Sequence, residues 1–477
     1  MTTQKNIKKI ILKNPVKEYL NRINATDTNI IESLKENSKR LDDYKRYYKD
    51  NSNEIQRISR KIGEAKKSNT PYDNLLINIQ KHSKTSKEIL SNIKSTEDTI
   101  LSFFPETLLD KSKIGVKLPH KKSRTYALTT VNINDIKIST LKNEHAKWNN
   151  YVYSNPNASI YYMHEWNDLI KKTFGHTGIY LYAEDKKNNN IIGILPLIHL
   201  KSRLFGSYLV SMPYFNHGGA IADHPDIEKA LMKEADSYLN KLYCTHIEYR
   251  DDVTRDGYPV KTEKVNMILS LPDSTEELWR NFTSKLRSQV KRSERENIEI
   301  LFGTLEYIDD FYNVFSRNMR DLGTPVYSKS FFINILKTFP EQCKIIIVKY
   351  NKEAVSAAFL IGHNDTLEIP WASTVHKVNN LSINMLLYWN VLKYAVENKY
   401  SYFDFGRSSK NTGTYNFKKQ WGASPKQLFW HYTLAEKEEI PALNPSNPKY
   451  ALVIKIWKKL PILVTKFIGP FIVKNLP

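Results

Sequence analysis

Residues 402–422 restrict the fold more than any other stretch, because a short apolar strand there meets a glycine and then a polar segment that carries lysines. Asp404 alternates with Phe403 and Phe405, the period-2 pattern of a strand facing two ways. Gly406 breaks the strand and releases Arg407 and Ser408 into a loop. Ser409, Asn411, Thr412, Gly413 and Thr414 follow, with Lys410 among them and Lys418 and Lys419 close behind. A loop so rich in donors could cradle a phosphate or a carboxylate. The plainer alternative is a β-turn-β connection in which Arg407 pairs with Asp404 to satisfy a buried strand end.

The order Phe403-Asp404-Phe405-Gly406-Arg407-Ser408, then Thr412-Gly413-Thr414-Tyr415, Phe417-Lys418 and Trp421-Gly422, resembles the signature of FemAB-related proteins, in the branch associated with PEP-CTERM and exosortase systems. Those proteins belong to the GNAT-like acyltransferase superfamily, and their relatives add amino acids to the peptidoglycan stem peptide. The resemblance takes in residues 165–222 and 436–477 and covers roughly residues 154–477. It implies an α/β (α+β) fold of tandem GNAT-like halves, here preceded by an antiparallel helical coiled-coil hairpin.

At 477 residues the chain has room for two or three domains with sizeable cores. Charged residues at 25% and apolar residues at 41% indicate a soluble globular protein rather than a disordered or membrane-spanning one. The net charge of +21 favours an anionic partner: RNA, an anionic lipid surface or a phosphorylated carrier. The competing explanation is a lysine- and asparagine-rich proteome that raises lysine everywhere. Cys244 and Cys343 each lie in an apolar run; they fit a reducing cytoplasm and give no metal-ligand spacing. Residues 1–20 carry Lys5, Lys8, Lys9, Lys13 and Lys17 without the apolar core of a signal peptide, and no apolar run approaches the length of a transmembrane helix. The expected location is the cytoplasm, with peripheral contact on the inner face of the membrane.

Residues 1–124 form the first expected domain. Leu34, Leu41, Tyr48, Ile55 and Ile62 fall seven apart, with Tyr44 and Ile58 on the same side, and Gly63 and residues 68–71 are expected to end that helix. A second seam runs through Leu76, Ile79, Leu90, Ile93 and Ile100, interrupted by Ser83 and Ser86, until Pro105. Two long helices joined by a short turn make an antiparallel hairpin. Asn14-Pro15, residues 59–63 and residues 105–115 resemble the N-terminal tRNA-binding arm of seryl-tRNA synthetases. Fem-group enzymes that use aminoacyl-tRNA also carry such an arm, inserted inside the second domain rather than at the N-terminus. The segment holds 27 Lys and Arg against 15 Asp and Glu, and Lys61, Lys66 and Lys67 cluster near the hairpin tip as candidate RNA contacts. A solvated coiled-coil surface or a dimerisation arm would look the same.

Residues 125–262 and 263–435 make the two expected halves. In the first, a helix from Glu165 precedes strands at 178–183 and 191–197, and Gly218-Gly219 beside His217 could let backbone approach a ligand or simply make a tight turn. In the second, residues 279–296 read as one basic amphipathic helix bearing Arg287. Strands at 344–348, 354–361 and 366–372 and a helix at 384–398 follow, an order that supports a mixed sheet. It is also the order of the GNAT core, in which a central strand splays from its neighbour to admit the acyl donor. GNAT enzymes that use acetyl-CoA carry a glycine-rich loop whose amides hold the pyrophosphate. Residues 376–384 contain no glycine, so acetyl-CoA is not supported. The donor expected instead is aminoacyl-tRNA or an acyl thioester, with no bound cofactor and no metal.

The resemblance therefore implies acyl or aminoacyl transfer to an amine of a cell-envelope or exopolysaccharide-related precursor. Asp404 is the candidate proton acceptor, Tyr415 the donor to the leaving group, and Lys418 the lysine of the Phe-Lys pair. Arg407, Ser408, Trp371, Asn384, Arg287 and His217 are the candidate substrate-binding residues; His217 is also a candidate base. Two other readings are an RNA-binding protein and a membrane-surface scaffold, each with a vestigial transferase domain. Residues 436–477 are the fourth segment, where lysines interrupt an apolar run. They suit either an interfacial helix pair in contact with a membrane or packing onto the second half.

Overall fold

The computed structural model describes residues 28–68, 70–103, 124–202, 206–441 and 448–476, together with Leu12 and Pro15. The chain divides after residue 117 into a helical unit and a larger unit built on two sheets.

In the helical unit α1 (Thr28–Lys67) packs along α2 (Asp73–Ser102). The seam of α1 takes in Leu34, Asn37, Leu41, Tyr44, Tyr48, Asn51, Ile55, Ile58 and Ile62, steps of three and four that keep one face inward. Gly63 does not end the helix, which runs on to Lys67. On α2 the inward positions are Leu75, Ile79, His82, Ser86, Ile89, Ile93, Thr96 and Ile100. Leu76 and Leu90, placed in the seam from sequence, are exposed. Leu75 and Ile89 take those two places, while Ile79, Ile93 and Ile100 face inward as expected, and polar residues fill the seam between: Asn51 Nδ2 donates to the His82 carbonyl at 2.7 Å and to Ser86 Oγ at 2.8 Å across the pair. Pro105 lies outside the described residues.

The first half of the larger unit contains β1 (Ile136–Thr140), α3 (His145–Ser154), α4 (Glu165–Phe174), β2 (Thr177–Asp185), β3 (Ile191–Ser202), β4 (Gly206–Val210), β5 (Ile221–Ala222), α5 (Pro225–Lys241), β6 (His246–Asp251) and β7 (Val260–Lys261). After it come β8 (Lys264–Ser270), α6 (Thr275–Asn281), α7 (Ser284–Ser293), β9 (Ile298–Gly303), α8 (Ile308–Leu322), α9 (Lys329–Thr338), β10 (Cys343–Tyr350), β11 (Glu353–His363), β12 (Thr366–Thr374), α10 (Ile383–Glu397), β13 (Tyr402–Ser409), α11 (Gly413–Gln420), β14 (Ser424–Gln427) and β15 (Phe429–Leu434). Two tail helices complete the chain, α12 (Pro448–Trp457) and α13 (Ile462–Val473).

One sheet has the order β1-β2-β3-β4-β6-β15-β7, with β5 on β3; the other runs β14-β8-β13-β12-β11-β10-β9. β15, which the sequence placed with the second half, crosses back and pairs antiparallel with β6 and β7. The two halves are thereby stitched into one body, and a single apolar cluster runs through both, from Trp148 to Ala423. In β10 the consecutive residues Ile345, Ile346, Ile347 and Val348 are all fully buried, so both faces of this sheet are covered. α8 and α10 both pack on β10, β11 and β12 and supply the two covers.

Residues 279–296 are two helices rather than one. Phe282 turns inward, and Thr283 takes the N-cap of α7, accepting from the Leu286 N–H at 3.3 Å.

Candidate active site

Parallel pairing between β12 and β13 lasts three residues, ending at Glu368↔Asp404. Beyond that point β12 stays with β11 and β13 stays with β8, so the two strands diverge. The local sequence explains why. On β12 a register shift falls at Pro370, which has no N–H to offer a ladder. On β13 a register shift falls between Asp404 and Arg407, where Gly406 adopts φ +74°, a left-handed conformation that a side chain would strain. Backbone groups facing the gap from either side have no partner strand.

Asp404 sits buried at the apex of this gap. Its Oδ1 accepts the Gly406 N–H at 2.6 Å and its Oδ2 accepts Asn266 Nδ2 at 2.5 Å. His217 reaches across from the first half: its Nε2 lies 3.6 Å from Asp404 Oδ2 and 2.9 Å from Asn266 Nδ2. Burial works to raise the Asp404 pKa, but His217, the Gly406 N–H and Asn266 outweigh it and hold the carboxyl below the usual range. Glu368, the cross-strand neighbour, accepts the Tyr161 hydroxyl at 2.7 Å. A cavity of about 270 Å³ opens here between the halves, lined among others by His217, Asn266, Glu368, Asp404, Asp252 and Lys426. A larger concavity, about 910 Å³, is lined only by residues between 125 and 223 and touches none of these groups.

The segment read from sequence as a loop is the helix α11, started by Thr412, whose side chain accepts the Tyr415 N–H. The helix carries Lys418 back over the bulge, where its Nζ donates to the carbonyls of Gly406 at 3.1 Å and Arg407 at 2.9 Å. Burial pushes the Lys418 ammonium down to about 8; Asp404 and Glu368 oppose that shift and Arg407 adds to it. Tyr415 does not join the pair. It packs half-buried against the core, with Lys419 Nζ 5.8 Å from its ring.

Arg407 does not pair with Asp404; its guanidinium stacks on Trp430, which β15 brings back from the second half. Arg250 lies on the same ring at 4.4 Å from its centroid and is tied to Glu248 at 2.8 Å and to the Phe215 carbonyl at 2.6 Å. Among the described residues, the buried Arg250 Nη2, Trp430 Nε1 and Ser408 Oγ have no hydrogen-bond partner. A buried ion network not apparent from sequence braces this side. Arg124 binds Glu228 and Asp252 at 2.8 Å each, Arg255 binds Asp251 and Glu228, and Lys426 of β14 binds Asp252 at 2.6 Å. Asp251, Asp252 and Arg255 are near neighbours in the chain, but Arg124, Glu228 and Lys426 reach them only through the topology.

Other candidates fall elsewhere. Trp371 belongs to an aromatic cluster, 5.1 Å from Phe332 and 5.6 Å from Phe359. Arg287 donates to the carbonyls of Trp279, Arg280 and Phe282 and closes the end of α6. Asn384, near the start of α10, accepts the Thr374 hydroxyl at 3.2 Å beside the diverging end of β12. The glycine pair serves internal packing: a Cβ at Gly218 would collide with Ser211, and one at Gly219 with the Asp251 carboxylate. Lys61 is exposed on α1, while the side chains of Lys66 and Lys67 lie outside the described residues. Among the described residues no group of three or more His, Cys, Asp or Glu is placed to hold a metal ion.

The acetyltransferase (GNAT) domain family matches residues 280–419, which span α7 to α11 and contain the gap, Asp404 and Lys418. No curated protein matches the chain by sequence. Among solved structures, FemX is similar at a TM-score of 0.50 and 14% identity, covering 66% of this chain and all of its own. A tandem GNAT protein from the clavulanic acid biosynthesis pathway aligns at 0.41 and 9% identity, over 64% of this chain and all of its own. L-PGS from Bacillus licheniformis aligns at 0.37 and 14% identity, over 61% of this chain and 89% of its own. The larger unit therefore has the tandem GNAT-like fold shared with FemX, preceded in sequence by the helical pair.

Proposed function

We propose that this protein is an N-acyltransferase that moves an aminoacyl or other activated acyl group onto an amine of a cell-envelope or exopolysaccharide-related precursor. The observation that carries the reading is Lys418: a lysine with its pKa lowered to about 8, fixed by two backbone carbonyls beside the strand gap of a GNAT-like sheet. Near neutral pH such a group takes and returns a proton readily. Asp404 is held ionised by its donors, so it orients His217 and Asn266 and offsets the Lys418 charge rather than accepting the proton. The acceptor amine attacks the acyl carbonyl. A C–N bond forms, the C–O bond of an ester or the C–S bond of a thioester breaks, and the proton lost by the amine passes through Lys418 to the departing oxygen or sulfur. Backbone N–H groups facing the gap are candidates to meet the developing oxyanion. Arg250 Nη2 and Trp430 Nε1 are unpartnered donors, and with Arg407 on the same ring they suit a phosphate or carboxylate of a substrate.

The donor side favours aminoacyl-tRNA or an acyl thioester other than acetyl-CoA. Residues 376–381 form a 3-10 turn, and only Ser382 after it is left-handed, at φ 59°. A pyrophosphate nest of successive converging amides needs more such freedom than this segment has.

The test is transfer of labelled amino acids from a charged tRNA pool onto an envelope-precursor extract, with labelled acetyl-CoA as the comparison donor. Label should enter an alkali-stable amide from tRNA and not from acetyl-CoA, and Lys418→Met should slow it by about a hundredfold or more. Equal rates for wild type and K418M, or no transfer from either donor to any precursor fraction, would sink the reading.

A further inference from the structure

The tail helices are amphipathic in an unusual sense, because both faces are apolar. On α13 the residues Thr465, Gly469 and Val473 face inward. Gly469 lies so close to Val326 that a Cβ there would fall 2.9 Å from its backbone N and O. On α12 Trp457 is buried, and Ile454 packs beside Gly323 at the end of α8. The tail is thus firmly seated. Further bonds run from Tyr214 to the Lys474 carbonyl at 2.8 Å and from Tyr208 to the Asn475 carbonyl at 3.0 Å.

The outward face is the anomaly. Leu463, Phe467 and Phe471, one turn apart, are 80%, 73% and 61% exposed, and Val464 and Ile468 widen the stripe. On α12 Val453 and Ile456 are exposed too, as is Leu322 beside Gly323. A folded surface rarely leaves a helical stripe of such large apolar side chains in water. The charge on the tail itself has one sign: residues 448–477 hold six lysines and no acidic residue, and Lys455, Lys458 and Lys459 are exposed at the end of α12, while Asp309 and Asp321 of α8 lie nearby. None of the described helices is long and apolar enough to cross a membrane.

We propose that this face docks the protein on an anionic lipid bilayer. The side chains of Leu463, Phe467 and Phe471 enter the acyl boundary and the lysines meet lipid phosphates. Charge decides the occupant. A second copy would bring the same lysines face to face, whereas an anionic lipid surface neutralises them as the apolar stripe leaves water. The dock lies beside the transfer site. Tyr214, which holds the tail, meets Tyr327 edge to face at 5.9 Å between centroids, and the Arg407 and Arg250 charges oppose the rise that burial gives the Tyr327 hydroxyl. Docking would therefore bring the cleft to acceptors displayed at the bilayer surface. The inference does not depend on the transferase reading, since lipid binding is measured without turnover.

Flotation of the full chain with phosphatidylcholine vesicles, with and without phosphatidylglycerol, tests it against the triple variant L463E/F467E/F471E. The wild type should float with the phosphatidylglycerol vesicles and bind phosphatidylcholine alone several-fold less. The variant should lose at least about tenfold of the binding, with an unchanged melting temperature because all three side chains are exposed. Three results overturn the proposal: wild type that stays unbound on phosphatidylglycerol vesicles, variant that floats as well as wild type, or binding that ignores lipid charge. A wild-type dimer in sedimentation that becomes monomeric in the variant would show that a second copy covers the face instead.

Discussion

Lys418 puts two of the three N–H donors of its ammonium on the carbonyls of Gly406 and Arg407. Its pKa near 8 has a consequence for stability that can be measured apart from activity. The unfolded chain keeps this lysine protonated up to about pH 10.4, while the folded chain releases the proton near 8. Between those values the unfolded state binds more protons, so this group's contribution favours the fold increasingly as pH rises. Chemical denaturation of wild type and Lys418→Met should show wild type gaining on the variant between pH 8 and 10, by at most about 1.4 kcal/mol per pH unit. A difference that stays flat with pH would mean that Lys418 titrates normally. At this scale the sequence singled out Asp404 and Lys418 because the glycine between strand and basic segment marks a special backbone, and the structure puts both, with His217, at the strand gap. Trp371 lies in an aromatic cluster and Arg287 at the end of α6. An aromatic in a strand and an arginine on an amphipathic helix look the same whether they meet a ligand, a core or a helix end.

Among the elements, what could be read depended on periodicity. Strands at 344–348, 354–361 and 366–372 and the helix at 384–398 stand where their apolar patterns put them, because a sheet covered on both faces writes unbroken apolar runs into its strands. α11 was hidden by small polar residues that suit a turn equally well; its N-cap Thr412 was the signal that could have shown it. β15 fell inside the expected second half but belongs to the other sheet, since pairing partners are a matter of topology. In the helical unit the seam of α2 was right at Ile79, Ile93 and Ile100 but off by one at Leu76 and Leu90, because His82 and Ser86 hold inward positions that apolar counting passes over. These two and Asn51 form a polar step that fixes how α1 meets α2. Asn51→Ala strips His82 and Ser86 of their partner and should destabilise the helical pair by about 1–2 kcal/mol. Thermal unfolding of the full chain followed at the arm, for example by hydrogen exchange of residues 45–58, checks it. Unchanged exchange there would show that the polar step contributes nothing.

Over the whole molecule the charge is divided between two separate units, and that division makes the arm testable. Residues 1–117 carry 24 Lys and Arg against 15 Asp and Glu, a net +9 of the total +21. The larger unit keeps a similar charge, but its Arg124, Arg255 and Lys426 are bound to buried carboxylates and so cannot reach a nucleic acid. If the helical pair grips tRNA, as its resemblance to the synthetase arm implies, its lysines displace counterions from the phosphate backbone. Affinity would then fall with salt in proportion to the number of phosphates neutralised, with a slope of about −0.7 to −0.9 per contact. Wild type and a chain lacking residues 1–117 should therefore differ twice over. In mobility shifts with total tRNA the truncated chain should bind at least about tenfold more weakly at physiological salt, and its slope of log affinity against log salt should be shallower by several contacts. The second readout separates recognition by the arm from diffuse attraction to a basic protein. If affinity and slope both survive the truncation, the arm has no part in holding RNA, and an aminoacyl-tRNA donor would have to dock on the larger unit alone.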